Sequence, residues 1–95
     1  MKKFDYIEAA KKIFEIESRV VSELSDQLDE SYDLLCEDIL KMGGKLILMG
    51  IGKSGHVSQK IAATLASTGT ASFFIHPTEA AHGDMGMIGK DDIVL

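Results

Sequence analysis

The sequence predicts an α/β domain with a partial doubly wound parallel sheet that two helices precede. An apolar run at residues 46–49 enters a glycine loop, a second apolar run occupies residues 71–75, and an alanine-rich amphipathic stretch lies between them. Neither run alternates polar with apolar residues, which is typical of strands covered on both faces of a parallel sheet. The order strand, helix, strand indicates a βαβ unit.

Composition limits the protein classes. A chain of 95 residues with 45% apolar residues forms one small domain or part of a larger one. The net charge of −5 argues against a nucleic-acid partner, which requires a basic face. The single cysteine, Cys36, gives no disulfide framework, and no signal peptide opens the sequence. No apolar run approaches the ~20 residues of a membrane span. We therefore expect a cytoplasmic protein that has no membrane partner.

Residues 1–44 are predicted to form an amino-terminal helical segment. Two groups of apolar residues recur at helical spacing, and the glycine pair at 43–44 separates the second group from the first strand. The first group comprises Ile7, Ala10, Phe14, Val21, Leu24 and Leu28, and the second comprises Leu34, Leu35, Ile39 and Leu40. Asp29 to Ser31 offer capping chemistry between the two helices. Both stripes favour core or subunit contacts over a cofactor site.

Residues 45–95 are predicted to form the first half of an α/β domain. The predicted elements are a strand at 46–49, a helix at 54–67 stopped by Thr68-Gly69, a strand at 71–75, a short helix from Pro77 to His82 and a third strand at 93–95. The helix that normally covers a third strand does not follow in this sequence. We therefore expect a truncated domain.

The loop G-I-G-K-S-G at residues 50–55 is the first candidate site. Its three glycines allow backbone approaches that a Cβ would block, and the loop leads into a helix amino terminus, which favours an anion such as phosphate. Lys53 adds a positive charge. A tight turn without a ligand is the alternative. The dinucleotide fingerprint fits formally, but His76 stands where an acidic residue would hold the ribose, and Ile47 replaces the first glycine of a Walker A loop.

A second polar cluster, H-P-T-E-A-A-H-G-D at residues 76–84, follows the second predicted strand. Since ligands bind at the carboxyl edge of such sheets, we expect this cluster on the same side as Lys53. Histidine transfers protons near neutral pH, and a lysine stabilises an oxyanion. For Glu79 local capping or pairing is favoured, and for Asp84 the structural and functional interpretations are balanced. The spacing is poor for a transition metal.

Three segments carry a family resemblance. They resemble, in the same order, segments of the sugar isomerase (SIS) domain of bacterial D-arabinose 5-phosphate isomerases. The three segments are G-I-G-K-S-G-H at 50–56, A-S-T-G-T at 66–70 and S-F-F-I-H-P-T-E-A-A-H-G-D at 72–84. The resemblance implies a flavodoxin-like SIS fold and interconversion of D-ribulose 5-phosphate with D-arabinose 5-phosphate for Kdo and lipopolysaccharide synthesis. It also implies a cytoplasmic homotetramer with no organic cofactor, which often carries CBS domains after the SIS domain.

The resemblance assigns roles to individual residues. Lys53 matches the catalytic lysine of the family, and His76 matches a histidine that can also take an inhibitory zinc ion. The residues expected to bind the pentose 5-phosphate substrate are Gly52, Ser54, Gly69, Thr70, His76 and His82.

The sequence departs from the family in length. Full SIS domains continue into a serine-rich phosphate loop, carboxylates and a further histidine that transfers protons. The sequence therefore resembles the amino-terminal part of an isomerase, and we expect residues 1–95 alone to self-associate and not to isomerise pentose phosphates. The alternative is a non-catalytic SIS module that binds sugar phosphates. Lys53 and the two histidines of the second cluster favour the enzyme.

Overall fold

A computed structural model describes residues 2–95. Within this range the elements are α1 (Tyr6–Glu23), α2 (Glu30–Lys41), β1 (Leu46–Leu48), α3 (Gly52–Ser67), β2 (Ser72–Phe74), α4 (Pro77–Ala81) and β3 (Ile93–Val94), with 3-10 helices at Leu24–Gln27 and Asp84–Met87. The chain divides into a first unit that ends at Leu34 and a second unit, Leu35–Leu95. The predicted segment limits, 1–44 and 45–95, differ from this division and remain predictions.

The first unit consists mainly of α1. The Asp5 carboxylate caps this helix by accepting the Glu8 N–H at 3.0 Å. The helix ends at Glu23 and tightens into the 3-10 turn, so it is shorter than the predicted apolar stripe, which reached Leu28. The stripe is exposed, with Phe14 at 68% of its possible surface. The stripe therefore contributes no buried core in the described chain, and the expectation of subunit contacts remains untested.

The amino terminus of α2 carries the capping chemistry expected at Asp29. Its carboxylate accepts hydrogen bonds from the Ser31 hydroxyl and from the Ser31 N–H. These two bonds, the hydroxyl contributing more, lower the pKa of Asp29. The prediction of a cap between the two helices is confirmed.

The second unit is built on a three-stranded parallel sheet of order β2-β1-β3. Leu46 is paired with Ser72 on one side and with Ile93 on the other. Pairing extends past β3, because the Leu95 N–H donates to the Ile47 carbonyl at 2.8 Å. The third strand predicted at residues 93–95 is therefore confirmed, and β1 is the central strand.

Two small cores cover the two faces of β1. Leu46 and Leu48 pack with Ala62 of α3 on one face, whereas Ile47 packs with Ile75 and Ala80 of α4 on the other. All three β1 side chains are at most 1% exposed. This arrangement confirms the predicted doubly wound parallel sheet, because helices from successive connections lie on opposite faces.

Asp92 joins the beginning of β1 to the turn before β3. Its two carboxylate oxygens accept the Lys45 N–H at 2.6 Å and the Gly89 N–H at 2.7 Å. The Gly89 bond, followed by the Lys45 bond, lowers the pKa of Asp92. Gly44 lies so close to this carboxylate that a Cβ there would overlap it. Gly44, the second residue of the glycine pair predicted to precede the first strand, therefore has a packing role.

Some element limits differ from the prediction. Helix α3 begins at Gly52, two residues before the predicted Ser54, and α4 ends at Ala81. The 3-10 helix Asp84–Met87 was not predicted, because its short glycine-containing sequence lacks a helical apolar pattern. In the part of the chain that the structure describes, no helix combines the length and the apolar character needed to cross a membrane.

Candidate active site

The glycine loop holds the amino terminus of α3 against the end of β1. A Cβ on Gly50 would lie 2.8 Å from the Gly55 nitrogen, and a Cβ on Gly55 would lie 2.6 Å from the Gly50 carbonyl oxygen. Gly52 has φ +60°, a conformation that side-chain-bearing residues rarely adopt. Gly50 and Gly55 thus serve the close backbone approach predicted for the loop, and Gly52 also provides a left-handed conformation.

The first turn of α3 is suited to an anion. Its N-cap residue is Ile51, whose side chain cannot accept a hydrogen bond, so no side chain caps the first-turn N–H groups. The helix dipole places partial positive charge at this end, and the exposed Lys53 adds a full charge in the same turn. Backbone donors and an ammonium group are therefore available to one phosphate.

His76 lies at the carboxyl end of β2, where it caps α4. Its Nδ1 accepts the Thr78 N–H at 3.1 Å. Because Nδ1 is the acceptor, the proton of the neutral ring is on Nε2, which can donate to an oxygen of a ligand. The exposed imidazole is thus oriented by its backbone contact.

A pocket of about 220 Å³ lies between the glycine loop and His76. Its lining residues are Gly50, Gly52, Gly55, His56, Gln59, Phe74 and His76. The Phe74 ring meets the His76 ring edge to face, with 6.5 Å between the centroids. The structure therefore brings together the glycine loop and His76, the first residue of the second cluster, as expected from the shared edge of the sheet.

Two pocket residues, His56 and Gln59, were not predicted as site residues. They follow Gly52 and Gly55 at the spacing that places side chains on one helix face. This helix face escaped prediction because the predicted helix begins at Ser54, which leaves Gly52 outside the helix. A search for polar residues at i+4 and i+7 from Gly52 would have found the two side chains.

Other predicted site residues lie outside this pocket lining. Lys53 and Ser54 occupy the first turn of α3 beside the pocket, and His82 is the exposed residue that ends α4. Gly69 and Thr70 precede β2, whereas His76 follows it. The six residue-to-residue steps from Thr70 to His76 span about 20 Å in an extended chain, which places the two groups at opposite edges of the sheet.

The Gly69-Thr70 turn lines a separate depression of about 240 Å³. The other residues around it are Ile39, Leu40, Met42, Gly44 and Ala71. The structure of this chain thus does not bring Gly69 and Thr70 to His76, and their expected contact with substrate remains a prediction.

The metal expectation at His76 is tested by the geometry of its ring. Zinc binding through Nε2 requires that nitrogen to lose its proton, and the neutral ring would then be protonated at Nδ1, which here accepts the Thr78 N–H. Among residues 2–95, no three His, Cys, Asp or Glu side chains are grouped as a metal site. The inhibitory zinc ion remains a prediction from the resemblance.

The two acidic residues of the second cluster take different places. Glu79 lies in the first turn of α4, where a negative charge is favourable. Asp84 begins the 3-10 helix after Gly83, which has φ +128°. Neither carboxylate lines the pocket.

The sequence and the fold are similar to those of known proteins. The family model of the SIS domain matches residues 39–95. The chain is 49% identical over 92 residues to arabinose 5-phosphate isomerase KdsD of Salmonella typhi, and 52% identical over 91 residues to that of Pseudomonas aeruginosa. The matches cover 97% and 96% of this chain, and each covers 28% of the relative. The chain therefore spans about 28% of the length of these curated relatives.

Solved structures share the fold. An Escherichia coli CFT073 protein in complex with arabinose 5-phosphate superposes with a TM-score of 0.89 at 44% identity, over 99% of this chain and 50% of the other. A Bacteroides fragilis protein superposes with a TM-score of 0.88 at 34% identity, over 95% of this chain and 48% of the other. Since the family model matches residues 39–95, which is more than half of the sequence, the chain belongs to the SIS domain family.

Proposed function

We propose that this chain forms part of the active site of an isomerase that interconverts D-arabinose 5-phosphate and D-ribulose 5-phosphate. The observation that carries the proposal is the uncapped amino terminus of α3 with Lys53, which adjoins a pocket lined by His76. The names of the curated relatives, which are 49% and 52% identical, supply the substrate.

The resemblance assigns the phosphate to a serine-rich loop that residues 1–95 do not contain, so the first turn of α3 is assigned to the sugar oxygens that become negatively charged. The N–H groups of Gly52, Lys53 and Ser54 lie where the helix dipole is positive, and Lys53 adds an ammonium group at the same end. Any side chain on Gly50 or Gly55 would separate the loop from the strand end. The glycine loop thus supports both the binding and the position of these oxygens.

The chemical step requires stabilisation of negative charge on two neighbouring oxygens. In aldose to ketose conversion, a base removes the proton from C2 to give an enediolate that shares negative charge between O1 and O2. A proton is then added to C1, and the proton of the O2 hydroxyl is transferred to O1, so that C2 becomes the carbonyl carbon. We assign Lys53 to stabilising that charge, and the Nε2–H of His76 to donating to a sugar oxygen. Glu79 lies outside the pocket lining, so we assign it to α4 stability and not to carbon deprotonation.

The assignment is tested in a chimera in which residues 1–95 replace the matching segment of the Salmonella typhi relative. Lys53→Ala should lower turnover of arabinose 5-phosphate by about 10² or more, because one electrostatic donor contributes that much to a rate. Lys60→Ala is the matched control, since Lys60 is an exposed residue of the same helix outside the pocket. Turnover that is equal in the two variants would refute the role of Lys53.

The same chimera separates the enzyme from a non-catalytic module. If the chain only binds sugar phosphates, the chimera should bind arabinose 5-phosphate without isomerising it. Measurable turnover excludes the non-catalytic alternative for this segment.

Finer expectations follow from the resemblance alone. They are that the product feeds Kdo and lipopolysaccharide synthesis, that the working form is a cytoplasmic homotetramer, and that no organic cofactor is needed. The mass of the chimera in solution tests the assembly, and turnover after exhaustive dialysis tests the cofactor.

A further inference from the structure

We propose that His56 contacts the reacting oxygens of the substrate, between Lys53 and His76, as a third hydrogen-bond donor to the enediolate. This inference rests on the proposed function, because it concerns the same oxygens and the same pocket. His56 lines that pocket together with His76.

The position of His56 on α3 places it next to the lysine. It follows Lys53 by three residues, a spacing that leaves about 5–6 Å between the two Cβ atoms on a helix. It also follows Gly52, which lines the pocket, by four residues and so lies on the pocket face of the helix. Gln59 shares that face but lies six residues from Lys53. Of the two α3 side chains that line the pocket, only His56 is therefore a neighbour of Lys53.

This position lies between the two groups that are assigned to the reacting oxygens. Lys53 is not among the lining residues of the pocket, whereas His56 and His76 both are. A Cβ built on Gly55 would lie 3.7 Å from the Phe74 ring, which shows that this side of α3 faces β2, the strand that ends at His76. A group that is held both by Lys53 and by the Nε2–H of His76 therefore lies beside the His56 ring.

The pocket has the size of the reacting end of the substrate. Its volume is about 220 Å³. Pockets that enclose a whole small ligand generally measure about 300–1,000 Å³. This pocket therefore accommodates the carbonyl end of the sugar, which carries both reacting oxygens.

The His56 ring is available to a charged oxygen. It is exposed, and no hydrogen bond within residues 2–95 involves its side chain, whereas the Nδ1 of His76 already accepts the Thr78 N–H. A neutral imidazole carries one N–H, so the ring can turn that donor toward the oxygen that gains charge. The half-buried Phe74 ring forms an apolar wall of the same pocket, which strengthens a hydrogen bond to an anion.

The test uses the chimera that contains residues 1–95 in place of the matching segment of the Salmonella typhi relative, with D-arabinose 5-phosphate as substrate. His56→Leu and His56→Gln form a matched pair, because the new side chains are similar in size and only glutamine donates a hydrogen bond. His56→Leu should lower kcat about 10- to 100-fold and change KM less than about threefold, since the lost bond is to a group that is charged only as the reaction proceeds. His56→Gln should be at least about fivefold faster than His56→Leu.

Two controls accompany this pair. Lys60→Ala changes an exposed residue of the same helix outside the pocket and should keep the kcat of the unsubstituted chimera. Because His56 is exposed, both substitutions there should also keep its midpoint of thermal unfolding.

The outcomes separate this inference from the proposed function. A chimera without turnover overturns both. If Lys53→Ala lowers kcat and His56→Leu does not, only the inference about His56 fails. It also fails if His56→Gln is as slow as His56→Leu, if KM rises while kcat is unchanged, or if the loss of kcat is accompanied by a lower unfolding midpoint in both variants.

Discussion

Replacing Gly50 by alanine tests the contact that joins the glycine loop to the sheet. A Cβ there would lie 2.8 Å from the Gly55 nitrogen and 2.8 Å from the Ser54 carbonyl carbon, about 0.6 Å inside ordinary contact. Both neighbours are backbone atoms, so no flexible side chain can move aside. Overpacking typically costs ~1–3 kcal/mol, and the reduced entropy of the unfolded chain returns ~0.5 kcal/mol. Because the contacts are with backbone that cannot move aside, the cost lies in the upper half of this range, and we expect a net loss of about 2 kcal/mol.

Two other glycines serve as matched controls for this variant. Gly52→Ala meets no atom within 4 Å but retains φ +60°, so it should lose only the ~1 kcal/mol of an unfavourable backbone conformation. Gly52→Asn should lose less, because asparagine tolerates that conformation. Gly86→Ala meets no atom and has no positive φ, so stability should change by less than about 0.5 kcal/mol.

Amide hydrogen exchange in β1 is the suitable assay. Ile47 and Leu48 lie in the buried central strand, so their exchange reports opening of the sheet and not fraying of α1. A loss of about 2 kcal/mol accelerates exchange by about 30-fold in Gly50→Ala, and 1 kcal/mol gives about fivefold in Gly52→Ala. The close contact is refuted if the amides of Gly50→Ala exchange as slowly as those of the wild type. It is also refuted if Gly86→Ala accelerates exchange more than Gly50→Ala does.

Two further predictions concern hydrogen bonds of the second unit. Asp92→Asn should destabilise the chain at pH 7, because the Gly89 and Lys45 N–H groups hold the pKa of Asp92 below its usual 3.8. A carboxyl group whose pKa is lowered in the folded state stabilises the protein above pH 3.8, and this stability is lost as the pH falls through the folded-state pKa. The stabilities of wild type and variant, measured by urea melts, should therefore converge below pH 4. A difference in stability that stays constant with pH would contradict this. Ser72→Ala removes the 2.7 Å bond from the Ser72 hydroxyl to the Ala62 carbonyl, which joins β2 to α3, and should cost about 1 kcal/mol in the same melts. An unchanged midpoint would show that this bond contributes nothing.

Much of the sheet was predictable because its strands are nearly pure apolar runs. The run at 46–49 could only be accommodated by burial on both faces, and β1 is indeed buried on both. The end of α1 was not predictable from periodicity. The apolar spacing continues to Leu28, but the backbone tightens at Leu24 into a 3-10 turn that keeps similar side-chain spacing.

The site was predictable to a smaller extent. The glycine loop and His76 were found from local sequence, since each directly follows a strand at the same edge. The pocket-facing side of α3 was not found, because it depends on the helix beginning at the left-handed Gly52. The separation of Thr70 from His76 follows from β2 lying between them, which the family resemblance alone does not convey.

The central position of β1 has a consequence for the order of folding. Both partners of β1 are synthesised after it, with Ser72 following Leu46 by 26 residues and Ile93 following by 47. Closing the longer loop costs only about 0.5 kcal/mol more than closing the shorter one, so entropy hardly separates the two pairings. On a ribosome β1, α3 and β2 emerge first and form first, and the edge of β1 that later pairs with β3 stays unpaired until β3 is synthesised. Pausing translation before Ile93 should therefore lengthen the exposure of that edge.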